Sequence, residues 1–134
     1  MSIKETTYKK WNKAYEIVSG EARLIVVTEI GPRVLSLQLG GGPNLLFNDD
    51  DEALGFKDWK IYGGHRFWIG PETLPTYAPD NTACSARIEG GALVVESPSD
   101  PATGLAKTLI VAPAPGGFRI AHRLANEGPF LAPP

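Results

Sequence analysis

The chain has 134 residues, a formal net charge of -2 and 43% hydrophobic positions, a composition typical of a soluble, single-domain globular protein. Its Lys and Arg residues are scattered and outnumbered by acidic ones, which argues against nucleic acid as a partner. A single cysteine, Cys84, excludes an intramolecular disulfide, and no apolar run reaches the roughly 18 residues of a membrane span. We therefore expect a cytoplasmic protein without a membrane partner.

Turn residues divide the chain into short runs. Twelve prolines and fifteen glycines leave no amphipathic stretch long enough for a stable helix, so the sequence predicts an all-β fold of antiparallel hairpins. In chain order the predicted strands are 14–19, 22–30, 33–39, 45–47, 82–89, 92–97, 105–112 and 118–126. Gly90 and Gly91 separate two of these runs, as expected for a tight hairpin turn.

Strand alternation predicts which side chains share a face. In the run 33–39, one face is predicted to carry Arg33, Leu35, Leu37 and Leu39. In the last run, a single face is predicted to carry Phe118, Ile120, His122 and Leu124. Arg33 would then start a strand on its apolar face, where it either reaches a ligand or pairs with a carboxylate such as Glu29 or Glu72.

The residues from about 48 to 81 break this pattern. About thirty residues without a clear period are too long for an ordinary connection, and their aromatic side chains argue against disorder. The stretch YGGHRFWIGPET, at 62–73, places His65 and Arg66 seven and six positions before Glu72. An imidazole and a carboxylate within reach of each other can move a proton, so His65 and Glu72 are the candidate catalytic pair. The alternative for His65 is a loop histidine bonded to a carbonyl group.

Aromatic and polar side chains of the same segment predict a sugar site. Aromatic faces suit a sugar ring, and the polar groups suit its hydroxyls; two arginines would also suit a sugar phosphate. The candidate substrate-binding residues are Arg33, Tyr62, Arg66, Trp68, Tyr77 and Asn81. The alternatives are structural: Trp68 packs in a core, and His122 is a hydrogen-bonded core histidine.

Metal and cofactor sites are not expected. The acidic run 48–52 lacks the ligand spacing of an EF-hand loop and is interpreted as a solvated loop. Two histidines and one cysteine make a poor zinc ligand set, and neither a phosphate-binding glycine loop nor a GxSxG nucleophile motif is present.

Three stretches together resemble a known family. GPRVLSLQLGGGPNLLFN, WKIYGGHRFWIGPETLPTYAPDN and IAHRLANEGPF occur in that order and are similar to the N-terminal part of the galactose mutarotase-like superfamily, in particular its uncharacterised bacterial members. The similarity spans about residues 16 to 130. It implies a β-supersandwich with a sugar cleft on one sheet, and an aldose 1-epimerase type of activity that uses a histidine acid, a glutamate base and no metal.

The resemblance also implies which residues matter. Arg33 matches an arginine that faces the cleft, and His65 with Arg66 matches a substrate-contacting segment. The family's acid and base come from later parts of a longer chain, which implies either a fragment or a shortened product that completes its sheets by forming a homodimer. Three functions are therefore weighed: an epimerase, a carbohydrate-binding protein without a full catalytic set, and a structural, self-associating half-sandwich.

Overall fold

Eleven antiparallel strands and two short 3-10 turns form the part of the chain that the structure describes. The computed structural model describes residues 1–128, so Pro129 and Phe130 of the similar stretches lie outside it. The strands are β1 (Ser2–Tyr8), β2 (Trp11–Ser19), β3 (Ala22–Val27), β4 (Arg33–Leu39), β5 (Gly55–Phe56), β6 (Trp59–Lys60), β7 (His65–Arg66), β8 (Ser85–Glu89), β9 (Ala92–Glu96), β10 (Leu105–Ala114) and β11 (Gly117–Asn126). The 3-10 turns are Leu74–Thr76 and Ala78–Asn81.

The strands form two main sheets. The first sheet has the order β1-β2-β3-β4-β7, the second has the order β11-β10-β9-β8, and β5 pairs with β6 in a small ribbon. All strand pairs between described residues are antiparallel. The predicted all-β class is confirmed, and so is the hairpin at Gly90-Gly91, where Glu89 pairs with Ala92 and both glycines have a positive φ.

The two sheets pack face to face over an apolar core. Its fully buried members come equally from both sheets: Ile17, Leu24, Val26 and Val34 from the first, and Leu93, Val95, Leu109 and Val111 from the second. On the opposite face of the first sheet, which we call the outer face, a second cluster contains Ile25, Val27 and Leu35. Strand β3 is thus buried on both faces, which explains its nearly continuous apolar sequence.

The sequence analysis missed one strand and predicted one that does not form. Strand β1 was missed because its sequence, SIKETTY, is largely polar and its side chains are mostly exposed. Residues 45–47 do not form a strand, because the Asn44 amide bonds the backbone of Leu35, Leu37 and Leu46 in place of a ladder. The segment is therefore fixed by a side chain rather than by strand pairing.

The predicted alternation along β4 fails at a β-bulge. The register between β3 and β4 shifts between Ile25 and Val26, so Leu35 has no direct partner on β3. Leu35 consequently packs in the outer-face cluster while Leu37 packs against the core between the sheets. The prediction for the last run holds for Phe118 and Ile120, which both pack against that core.

Candidate functional site

Arg33 ties the long segment to the first sheet. Its side chain is fully buried and donates hydrogen bonds to four backbone carbonyls: Nε to Ile30 at 3.0 Å, Nη1 to Ile61 at 2.6 Å and Gly63 at 2.8 Å, and Nη2 to Asp80 at 2.9 Å. A guanidinium group has five N–H donors in a fixed plane. Arg33 thus joins two separate parts of the 48–81 segment, residues 61–63 and Asp80, to the β3–β4 connection.

The charge of Arg33 is balanced by Asp80. Their Nη2 and Oδ2 atoms lie 3.0 Å apart, and the Nε of Arg66 lies 3.7 Å from the same oxygen. That oxygen makes no aligned hydrogen bond with the described residues, so we attribute the attraction chiefly to charge. Burial lowers the pKa of Arg33, and Asp80 opposes this effect. Arg33 therefore pairs with a carboxylate, as one of its two alternatives predicted, but the partner is Asp80. Of the two examples named, Glu29 bonds the backbone of β2 and Glu72 bonds Tyr77.

Arg33 and His65 lie on opposite faces of the first sheet. Across β4 and β7, Arg33 is opposite Arg66 and Val34 is opposite His65, and opposing residues of an antiparallel pair share a face. Val34 belongs to the core between the sheets, whereas Arg33 lies 5.6 Å from the Tyr62 ring on the outer face. The two side chains therefore do not form one site, and Arg33 has no exposed surface to offer a ligand.

His65 instead contacts His122 across the gap between the two sheets. The two Nε2 atoms lie 2.8 Å apart, and Phe67 packs edge-on against His122 with ring centres 5.3 Å apart. The buried Lys107 donates from Nζ to the Phe67 carbonyl at 2.8 Å. His122 is hydrogen-bonded, as predicted, but it is exposed rather than part of the core. At least one imidazole must be neutral for this contact to form.

Because of the contact between His65 and His122, we expect the free energy of unfolding to fall in acid. Burial, followed by the charge of His122, lowers the pKa of His65 below its ordinary value of 6.5. The unfolded chain then binds more protons than the native one, so stability rises with pH through this range and is lost as the pH falls below about 6.5.

The check is thermal melting at about pH 7.5 and about pH 5. We expect the His65→Gln variant to lose less stability than the parent between these values. Because the sequence contains only two histidines, NMR titration of both imidazoles assigns the proton uptake directly. An equal loss in variant and parent would contradict this role of the pair.

The other predicted aromatic residues form a small cluster of their own. The Trp68 ring centre lies 5.8 Å from that of Trp59 and 5.1 Å from that of Tyr77, and Phe56 completes the group. The Arg66 guanidinium lies over Trp68 at 4.8 Å. These edge-to-face and cation–π contacts stabilise the segment itself. These contacts agree with the alternative in which Trp68 packs against other side chains instead of a ligand.

The remaining predicted residues are also engaged with protein groups. Asn81 donates to the carbonyl of Lys60 and accepts from its N–H group, at 3.0 and 2.8 Å. Glu72 is exposed and accepts a short hydrogen bond from the Tyr77 hydroxyl, which raises the pKa of that phenol. No contact among residues 1–128 joins Glu72 to His65, so the structure does not bring the predicted acid and base together.

A cavity of about 250 Å³ lies on the outer face of the first sheet. Its walls are the rings of Trp11 and Tyr62, whose centres lie 5.3 Å apart at 84°, and Leu35 also lines it. The polar lining comes from Lys9, Lys10, Asn48, Asp49 and Asp50. Among the candidate catalytic and substrate-binding residues predicted from the sequence, Tyr62 alone lines this cavity. An apolar, partly aromatic hollow with a few polar groups is the usual form of a small-molecule site.

The charged groups at the cavity are paired with one another. Lys9 lies 2.5 Å from Asp50, and Lys10 lies 2.5 Å from Glu52 and 4.9 Å from the centre of the Trp11 ring. Burial, and then the Glu52 carboxylate, raise the pKa of the Tyr62 phenol, which therefore remains a neutral hydroxyl at neutral pH. The cavity thus offers hydroxyl, amide and carboxylate groups without a large excess of either charge.

The described residues were compared with the needs of a metal site and of a reactive thiol. Within residues 1–128, no group of three His, Cys, Asp or Glu side chains could hold a metal ion. Burial raises the pKa of the Cys84 thiol to about 12, so this side chain is not a thiolate at neutral pH.

Across residues 1–128, no helix has the length and apolar character that crossing a bilayer requires.

Comparison with family models, with curated proteins and with solved structures finds no match to this chain. The assignment of function therefore depends on the geometry of the site and on the sequence resemblance.

Proposed function

We propose that this protein binds a small saccharide or sugar phosphate in the cavity lined by Trp11 and Tyr62, without completing a catalytic cycle. The fold proposed with it is a partial β-supersandwich of the galactose mutarotase-like type, whose implied sugar cleft lies on one sheet. The observation that supports the binding site best is the corner formed by the two aromatic rings beside Asn48, Asp49 and Asp50.

The size and lining of the cavity favour one sugar ring. Its volume of about 250 Å³ lies near the lower end of ligand pockets, which are commonly about 300–1,000 Å³. One ring face would pack against Trp11 or Tyr62, and its hydroxyls would reach the carboxylates and the Lys9 ammonium group. Binding of this kind combines apolar contact with several directional hydrogen bonds.

The separation of His65 from Glu72 supports binding rather than turnover. Aldose epimerisation needs a base and an acid on either side of one sugar ring. His65 contacts His122 between the sheets, and Glu72 contacts Tyr77 within the 48–81 segment. Polarimetry with glucose or galactose should therefore show no increase in the rate of mutarotation. A rate increase that is lost in the His65→Gln variant would favour the epimerase alternative.

Replacing Trp11 should weaken sugar binding much more than replacing Trp68. We expect saturation-transfer NMR with glucose, galactose and their 6-phosphates to detect at least one ligand. The Trp11→Leu variant should bind it at least about tenfold more weakly, a change of about 1.4 kcal/mol. Trp68→Leu is the matched control, because that ring packs against Trp59 and Tyr77 instead of the cavity.

Circular dichroism is the control that checks whether both variants remain folded. Equal weakening in the two variants, or weakening by Trp68→Leu alone, would place the ligand elsewhere. If none of the four sugars gave a signal, the third hypothesis, a structural and self-associating module, would be favoured instead.

A further inference from the structure

Strand β11 is a long and regular edge of the second sheet. It comprises Gly117–Asn126, and it pairs with β10 without a register shift from Ala114 opposite Gly117 to Leu105 opposite Asn126. Between residues 117 and 125, no described residue forms a strand pair on its other side. Edge strands are commonly protected by prolines, bulges, short length or charged side chains. Strand β11 has ten residues without a proline or a bulge, so its unpaired backbone groups can accept another strand in a register that keeps its charged residues, Arg119 and Arg123, apart.

Part of the inner face of β11 is also uncovered. Phe118 and Ile120 pack against the core between the sheets, whereas His122 is exposed and Leu124 is 44% exposed. The first sheet ends at β7, which contains only His65 and Arg66, and so it covers little of the final half of β11. Leu124 is therefore available for an apolar cross-strand contact with a strand that pairs at this edge.

We propose that β11 pairs in antiparallel orientation with β11 of a second copy of this chain, around a twofold axis that passes beside His122. A twofold interface is self-complementary and closes after two copies, whereas pairing with a different edge would build an open chain of molecules. The pairing would join the two four-stranded sheets into one continuous sheet.

The charges of β11 select this register. Opposing residues in an antiparallel pair point to the same face, so the axis has to lie beside a residue. An axis at Ala121 would place Arg119 opposite Arg123, and an axis at Arg123 would place that residue opposite itself; like charges directly opposite are destabilising.

An axis at His122 removes both conflicts. It places Arg119 opposite Ala125 and Arg123 opposite Ala121 of the second copy. On the inner face, it places Ile120 opposite Leu124 twice, so that the partly exposed leucine gains an apolar cross-strand partner. Axes at Ile120 or Leu124 also separate the arginines, but they pair shorter stretches of the strand. The two His122 side chains would then meet at the axis, each beside the His65 of its own chain.

The mass of the protein in solution tests this pairing. Sedimentation velocity or light scattering between about 1 µM and about 1 mM, a range that covers modest association free energies, should show twice the mass of one chain at the upper end. A Leu124→Lys substitution places a charge opposite Ile120 and should weaken association at least about tenfold. Because Leu124 is already 44% exposed, the melting temperature of the monomer should hardly change.

Ile88→Lys is the matched control. Ile88 is 52% exposed and lies on β8, at the opposite edge of the same sheet, so its substitution should leave the dimer intact. A chain that stays monomeric throughout the range overturns the proposal. The same holds if a dimer persists in Leu124→Lys, or if Ile88→Lys dissociates it equally. None of these measurements involves a sugar, so their results test the strand pairing independently of the proposed function.

Discussion

Replacing Arg33 by alanine is expected to lower the free energy of unfolding by about 3–5 kcal/mol, the usual cost of removing one partner of a buried ion pair. The variant would leave the Asp80 carboxylate buried without its nearest cation, and it would remove one hydrogen-bond donor from each of four carbonyl groups. Urea unfolding followed by tryptophan fluorescence measures the loss.

Arg23→Ala serves as the control for Arg33→Ala. The Arg23 side chain is 56% exposed and pairs with Glu16 on the first sheet, and exposed pairs contribute about 1 kcal/mol or less. Arg33→Lys is informative as well, because one ammonium group keeps the charge but cannot reproduce the planar set of donors. The structural account of Arg33 would be refuted if the Arg33→Ala and Arg23→Ala variants lost equal stability.

Replacing Gly64 by alanine is expected to destabilise the protein by about 3 kcal/mol or more, from left-handed backbone strain and overpacking together. Gly64 has a φ of 75°, and a Cβ atom at this position would overlap the carbonyl oxygen of Val34 on the neighbouring strand. Relieving that overlap would move β7 away from β4, and with it both His65 and Arg66.

Gly116→Ala isolates the steric part of this effect. Gly116 has a φ of 71°, close to that of Gly64, but a Cβ atom there would have no neighbour within 4 Å. We therefore expect Gly116→Ala to cost only the backbone strain, about 1–2 kcal/mol. Thermal or chemical unfolding of the two variants gives the difference, and similar losses would show that the close approach of β7 to β4 is unimportant.

The sequence predicted local features of this fold better than contacts between distant parts of the chain. Turn residues identified most strands and the Gly90-Gly91 hairpin, because these features depend on the conformations of adjacent residues. The bulge at Leu35 has no comparable local signal, and it reverses the face that each later residue of β4 occupies. A single extra residue thus placed Leu37 on the face opposite Arg33 and Leu35, with which it was predicted to share a face.

The candidate site was harder to predict for the same reason. Trp11 lies in β2, Asn48 follows β4, and Tyr62 lies just before β7, so spacing along the chain gives no sign that they meet. The side chains of the 62–73 motif instead lie on both faces of the first sheet, because neighbouring residues of a strand alternate. His65 turns towards His122, while Arg66 turns towards Asp80. The closely spaced polar residues of this segment therefore do not line a single pocket.

The claim that a saccharide binds in the cavity lined by Trp11 and Tyr62 is tested most directly by mapping backbone amide shifts during a titration with that sugar. We expect the largest changes at residues 9–11, 48–50 and 62, which line the cavity. Largest changes at His65, Trp68 and Tyr77, with residues 9–11 unaffected, would contradict the account.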